Sequence, residues 1–143
     1  MTVSSKAPVT REVLQSWADA SPFIRHCRME VCEVDASKGY VEMKMPMSPE
    51  LARDTAGKQF HGGPVASFID TAGDFAVALM VGGGVPTINF RVDYLRPSGG
   101  EYLVARATVR RAGRTVGVAD VDILDDQGRL TAVGRGCYST QLG

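Results

Sequence analysis

The sequence predicts an α+β fold in which one long helix sits between an N-terminal β-hairpin and a four-strand antiparallel meander. Three observations predict it. Apolar residues keep helical spacing over one long stretch, from Pro64 to about Met80. The flanking segments alternate apolar and polar residues with the period of half-buried strands. The segments after the helix are joined by short turns, which suit antiparallel neighbours and exclude the long crossovers of a βαβ chain.

Residues 1–9 are polar, contain Pro8 and read as a loose arm. Thr10 is placed to cap a short helix through about Ala18, with Val13, Leu14 and Trp17 on one side. Ser21-Pro22 ends it, because the residue before proline is pushed out of the helical region. Residues 29–47 read as a hairpin. Met29, Val31 and Val34 lead to a turn near Ser37-Lys38-Gly39, after which Val41, Met43 and Met45 alternate with Glu42 and Lys44. Residues 48–60 are polar and irregular, and loops of that length are often functional.

In the long helix, Val65, Phe68, Ile69, Ala72, Ala76 and Leu79 carry the apolar face. Pro64 suits the first helical position, and Gly82-Gly83-Gly84 ends the element. Ile88, Phe90, Val92 and Tyr94 then alternate with Thr87, Asn89, Arg91 and Asp93. Pro97 to Gly100 turns the chain into a strand over 101–110, and Ala112-Gly113 turns it into one carrying Ala119, Val121 and Ile123. Asp125-Asp126-Gln127-Gly128 makes the hairpin turn into the last strand, over 129–140. The expected organisation is an arm and short helix over 1–20, then a single domain over 21–143.

A chain of 143 residues is one domain's worth, and 44% hydrophobic with 22% charged residues is ordinary globular composition. That excludes a disordered chain, a collagen-like repeat and a membrane protein. Sixteen basic and sixteen acidic residues cancel, so no bulk charge draws nucleic acid or anionic lipid, and neither is an expected partner. Cys27, Cys32 and Cys137 are odd in number and lack paired spacing, so they read as free thiols. His26-Cys27 and Cys32 have no second pair of ligands elsewhere, so no metal is expected. Residues 1–10 hold no apolar signal core, and no uninterrupted run of about 18 apolar residues occurs. A cytoplasmic location is the simplest expectation.

With only two histidines, His26 and His61, there is no Ser-His-Asp pattern or nucleophile elbow. Residues 82–84 lack the Lys-Ser/Thr of a phosphate loop. The concentrated signal is His61-Gly62-Gly63-Pro64, where the irregular loop meets the helix. A helix start leaves about four N–H groups without partners and carries partial positive charge. Glycines there let a ligand oxygen approach those groups, as an oxyanion hole requires. Taken alone, the four residues fit a turn needed for chain geometry at least as well.

Asp70 adds weight to the chemical reading. On a helical wheel it lies about 140° from the apolar centre, near Val65 and Ala76, and Asp74 lies near 180°. Asp70 is therefore on a flank, two turns from the glycines, where a carboxylate can serve as general base or nucleophile at a carbonyl. The competing reading makes both aspartates solvated surface charges.

His61-Gly62-Gly63-Pro64-Val65-Ala66-Ser67-Phe68-Ile69-Asp70-Thr71-Ala72, followed by Val92-Asp93-Tyr94-Leu95-Arg96-Pro97, strongly resembles the hotdog-fold acyl-CoA thioesterases. The nearest branch is the PaaI-like (phenylacetyl-CoA thioesterase-like) one, over about residues 20–140. The resemblance implies a long central helix wrapped by a curved antiparallel sheet, subunits paired side by side into a homodimer or homotetramer, and active sites at the dimer interface. It implies an acyl-CoA substrate and no cofactor beyond the CoA that the substrate carries. By position, Asp70 would be the catalytic carboxylate. Gly62 or Gly63 would supply the N–H that polarises the thioester carbonyl, and His61 would orient the loop or the carbonyl. Thr87 stands where relatives often carry a hydroxyl that holds the attacking water, and the alternation puts it on the polar side of its strand. Many relatives have an asparagine before the histidine; here Asp54, Thr55 and Gln59 are the available substitutes. Arg110, Arg111 and Arg114, with Arg96, are the candidates for the CoA phosphates, since the arginine fork suits phosphate. The competing functions are a non-catalytic acyl-CoA-binding protein and a hydratase or dehydratase of the same fold.

Overall fold

The long helix forms where the spacing places it, and one sheet curves around it. The computed structural model describes residues 7–141, so residues 1–6 of the expected arm lie outside the described residues. In chain order the elements are α1 (Arg11–Ala20), α2 (Pro22–Cys27), β1 (Glu30–Asp35), β2 (Tyr40–Pro46), α3 (Gly62–Val81), β3 (Thr87–Tyr94), β4 (Tyr102–Ala112), β5 (Val116–Asp125) and β6 (Leu130–Ser139). The six strands make one antiparallel sheet in the order β1-β2-β4-β5-β6-β3.

That order corrects the expected four-strand meander. Strands β4, β5 and β6 are consecutive hairpins, but β3 pairs with β6 at the edge of the sheet. The segment after β3 is a crossing connection. Leu95 and Arg96 donate their N–H groups to the Thr131 carbonyl, Phe60 donates to that of Ser98, and Met47 to that of Glu101. These bonds carry the chain across the end of the sheet to β4. Alternation fixes which face a strand buries and is silent about its neighbour. The turn between β5 and β6 is the expected one: Asp125 Oδ1 accepts the N–H groups of Gln127 and Arg129, and Gly128 takes a positive φ of 76°.

Two helices differ from expectation. Ser21 closes α1 and also caps α2, its hydroxyl accepting the Ile24 N–H, with Pro22 at the start of the new helix. The proline read as a terminator is equally a first-turn residue. Helix α3 begins at Gly62, two residues before Pro64, because His61 caps it.

The core lies between α3 and the inner face of the sheet. Val41, Met43 and Met45 of β2 face inward beside Ala107, Ala105 and Leu103 of β4. Small residues continue across the sheet at Ala119 and Ala132, so the helix can sit close to the strands. Helix α3 is long and apolar enough to cross a bilayer, but most of its apolar stretch is buried within the fold. The sheet takes the place that lipid would occupy.

Candidate active site at the start and flank of the central helix

The His61-Gly62-Gly63 entry is pinned on all sides. The Gly63 N–H donates to His61 Nδ1 at 2.9 Å, the His61 N–H donates to the Leu51 carbonyl at 2.8 Å, and the Tyr94 hydroxyl donates to the Gly62 carbonyl at 2.7 Å. An accepting Nδ1 carries no proton, so the neutral ring presents its N–H at Nε2. Of the two candidate oxyanion donors, the Gly63 N–H is therefore engaged by the histidine. The Gly62 N–H, as the first amide of the helix, has no intrachain partner among the described residues. His61, Gly62 and Tyr94 line a cleft of about 480 Å³ together with Phe60, Val65, Arg53 and Arg96.

Asp70 lies on the flank of α3, half-buried, and accepts a hydrogen bond from the Thr87 hydroxyl at 2.8 Å. The route by which Thr87 arrives differs from the simple alternation. Asn89 and Arg91 pair with Cys137 and Arg135, whereas Phe90, Val92 and Tyr94 face inward opposite Gly136, Gly134 and Ala132. The register slips between Thr87 and Asn89, so Ile88 is an extra residue and Thr87 pairs with the inward-facing Tyr138. A bulge thus turns Thr87 from the polar face to the helix.

Three other residues complete the neighbourhood, none of them assigned a role at the sequence level. The buried Tyr138 donates its hydroxyl to the Asp70 carbonyl at 2.9 Å. A Cβ at Gly73 or Gly136 would overlap its ring or hydroxyl, so the two glycines form the notch that admits it. A glycine in mid-helix and another in mid-strand were the available signal. Tyr94 clamps the helix entry, as described. Asp74, placed by the helical wheel opposite the core, is instead half-buried. Burial, with a smaller contribution from the Asp70 charge, pushes its carboxyl up to about 7. The wheel assumed a helix with one buried side, but α3 is buried at Gly73, Phe75, Val77 and Ala78 as well.

The arginines divide. Arg96 lines the cleft at the helix start. Arg110, Arg111 and Arg114 lie at the β4–β5 turn, beyond the other end of α3, where Gly117 of β5 meets Val77. Arg110 is 3.6 Å from Asp120. Within one chain these three do not approach the cleft. Of the substitutes for the family asparagine, Asp54 accepts the Ala56 N–H in its own turn and Thr55 is exposed. Gln59 accepts from Arg53, which lines the cleft. Among the described residues, no three His, Cys, Asp or Glu side chains gather as a metal site would require.

Comparison with known proteins places this geometry in a family. The profile of the thioesterase superfamily matches residues 58–132, a span holding the helix entry, Asp70 and Thr87. The chain belongs to the thioesterase superfamily. A provisionally named esterase of Halobacterium salinarum is 36% identical over 137 residues, covering 88% of this chain and 89% of its own. The medium/long-chain acyl-CoA thioesterase YigI of Escherichia coli is 30% identical, with 74% of this chain and 77% of that protein covered. The solved structure of Escherichia coli PaaI superposes with a TM-score of 0.77 at 25% identity, over 90% of this chain and 89% of that one. The fold of this superfamily member is therefore the hotdog fold, its branch is PaaI-like, and its class is thioester hydrolase.

Proposed function

We propose that this protein hydrolyses acyl-CoA thioesters to a free acid and CoA, at sites built across a homodimer. The observation that carries the reading is the Asp70 carboxylate held by Thr87 on the flank of a glycine-started helix, in a chain of this superfamily. YigI and PaaI, both named acyl-CoA thioesterases, support the substrate class.

Water held beside Thr87 attacks the thioester carbon and gives its proton to Asp70. The oxyanion that forms is met by the Gly62 N–H and the partial positive charge of the helix start. Collapse expels the CoA thiolate, which recovers the proton from Asp70. If Asp70 attacks directly, an acyl-carboxylate anhydride forms and water opens it in a second step. In ¹⁸O water under single-turnover conditions, opening of the anhydride at the Asp70 carbonyl carbon leaves label in the enzyme, so label in Asp70 identifies direct attack. Neither route needs a metal or a cofactor other than the substrate's own CoA. Arg96 and Arg53 line the cleft and are the cations at hand for the CoA phosphates, whereas Arg110, Arg111 and Arg114 would serve from a second subunit.

Distance supports the dimer. Gly62 and Asp70 are eight residues apart on one helix, about 12 Å at the usual rise per residue. A single carbonyl does not span that separation, which favours a site whose two halves come from different subunits. The open edge for pairing is β3, where Ile88 and Tyr94 are 55% and 54% exposed, with Leu95 just past its end 55% exposed.

The direct test is Asp70→Asn, which keeps the shape and removes the proton acceptor. General-base help is worth about 10²–10⁴ in rate, so kcat in a thiol-release assay should fall at least about a hundredfold with the fold intact. Near-wild-type turnover in the variant would remove Asp70 from the chemistry. A wild type that binds acyl-CoA but releases no thiol would make this a binding protein.

A further inference from the structure

The hydrolytic scheme leaves one acid unused. Asp74 lies one turn beyond Asp70 on α3, and residues four apart on a helix are neighbours, with about 5–6 Å between their Cβ atoms. The acids elsewhere in the sheet that are buried or half-buried have cations: Asp120 faces Arg135 and Arg110, and Asp125 faces Arg129. Among the described residues, Asp74 has neither a hydrogen bond nor an ion pair. Strands β2 to β6 all pack against α3, and burial among them, with the Asp70 charge second, pushes the Asp74 carboxyl up. From β6, Tyr138 faces the pair through its hydroxyl on the Asp70 carbonyl, and both carboxylates help hold that phenol protonated. An unpaired carboxyl in a half-buried place has no structural return for its ionisation.

We infer that Asp74 is a positioning residue for the hydrolytic site: a proton-carrying partner of Asp70 whose ionisation makes Asp70 the stronger base. The inference rests on the acyl-CoA hydrolase reading. With a proton on Asp74, Asp70 carries the pair's only negative charge. Once Asp74 loses that proton, two like charges stand side by side, and transfer of a proton from water to Asp70 relieves the repulsion. Asp74 neither gives nor receives an atom during the step. Because burial and then the Asp70 charge push its carboxyl up to about 7, turnover should rise with pH across neutrality and level off above it. Below neutrality the enzyme works with the weaker base.

The experiment is the pH–rate profile of the wild type and of Asp74→Asn, with carboxyl NMR titration of the wild type and of Asp70→Asn. The wild type should gain about three- to tenfold in kcat through neutrality, in line with a modest change in base strength. Asp74→Asn should fold, turn over at the low plateau and lose the rise, with KM little changed. A purely structural Asp74 would leave the profile's shape intact in the variant, and that result would overturn the inference. The titration needs neither substrate nor a folded Asp74 variant. Asp74 should titrate near neutrality in the wild type and lower in Asp70→Asn; an ordinary carboxylate value, or no response to Asp70→Asn, also overturns it. A wild type inert toward every thioester condemns the hydrolase reading instead, while the titration still decides whether the two acids are coupled.

Discussion

Thr87 illustrates how much one residue's role can depend on an irregularity in its strand. Its hydroxyl reaches Asp70 because Ile88 is an extra residue in the pairing with β6. Thr87→Val keeps the branched shape and removes the donor, so kcat should drop roughly tenfold, the cost of losing one hydrogen bond to a charged group. Thr87→Ser should restore most of it, with KM steady in both. Equal loss in both variants would mean that shape, not the hydroxyl, matters. The sequence made Thr87 a candidate through its place in the motif, while the alternation put it on the outer face. A bulge leaves no trace in a pattern of apolar and polar letters. His61 and its glycines were more legible, since a cap and a helix start are properties of neighbouring residues. Asp74 was misplaced because a wheel shows direction around an axis and not how many sides of the helix are covered.

At the scale of elements, the two edges of the sheet are treated differently. On β1, Arg11 of α1 donates to the Val31 carbonyl at 2.8 Å, and the Val31 N–H donates to Gln15 Oε1 at 2.7 Å. Two side chains of the helix thus occupy the outward-facing backbone groups of the strand, beside its own register shift. Replacing both, Arg11→Ala with Gln15→Ala, frees these groups to pair with another chain. The double variant should lose about 1–3 kcal/mol of stability and form larger species on warming, as light scattering would show. Unchanged mass and Tm would mean that the edge needs no cover. The helix α1 was readable from Thr10 and its apolar side. Its contact with β1 was not, because it joins residues far apart in sequence through two long polar side chains. The same limit explains β3: each strand could be read, but the neighbour of each depends on the whole sheet.

For the whole molecule, the proposed dimer would leave the covered edge outermost and close at the open edge, as a pair of sheets along β3. Ile88→Lys places a charge on that open, apolar edge and should shift the protein toward monomer in sedimentation. Specific activity should then rise with protein concentration, by mass action, toward the wild-type value. A variant that is monomeric and fully active at high dilution would place the whole site within one chain.

The place of β6 in the sheet has a consequence for the order in which the protein can be made. Strand β3 leaves the ribosome well before β6, but β6 is the strand it pairs with, and β6 also brings the Tyr138 that grips Asp70. Until the chain past Leu130 has emerged, Thr87 belongs to an unpaired segment and cannot be held against the helix. A nascent chain therefore carries every residue of the proposed chemistry while remaining inert. A stop codon between Thr87 and Leu130 would disable the protein without touching a single catalytic group.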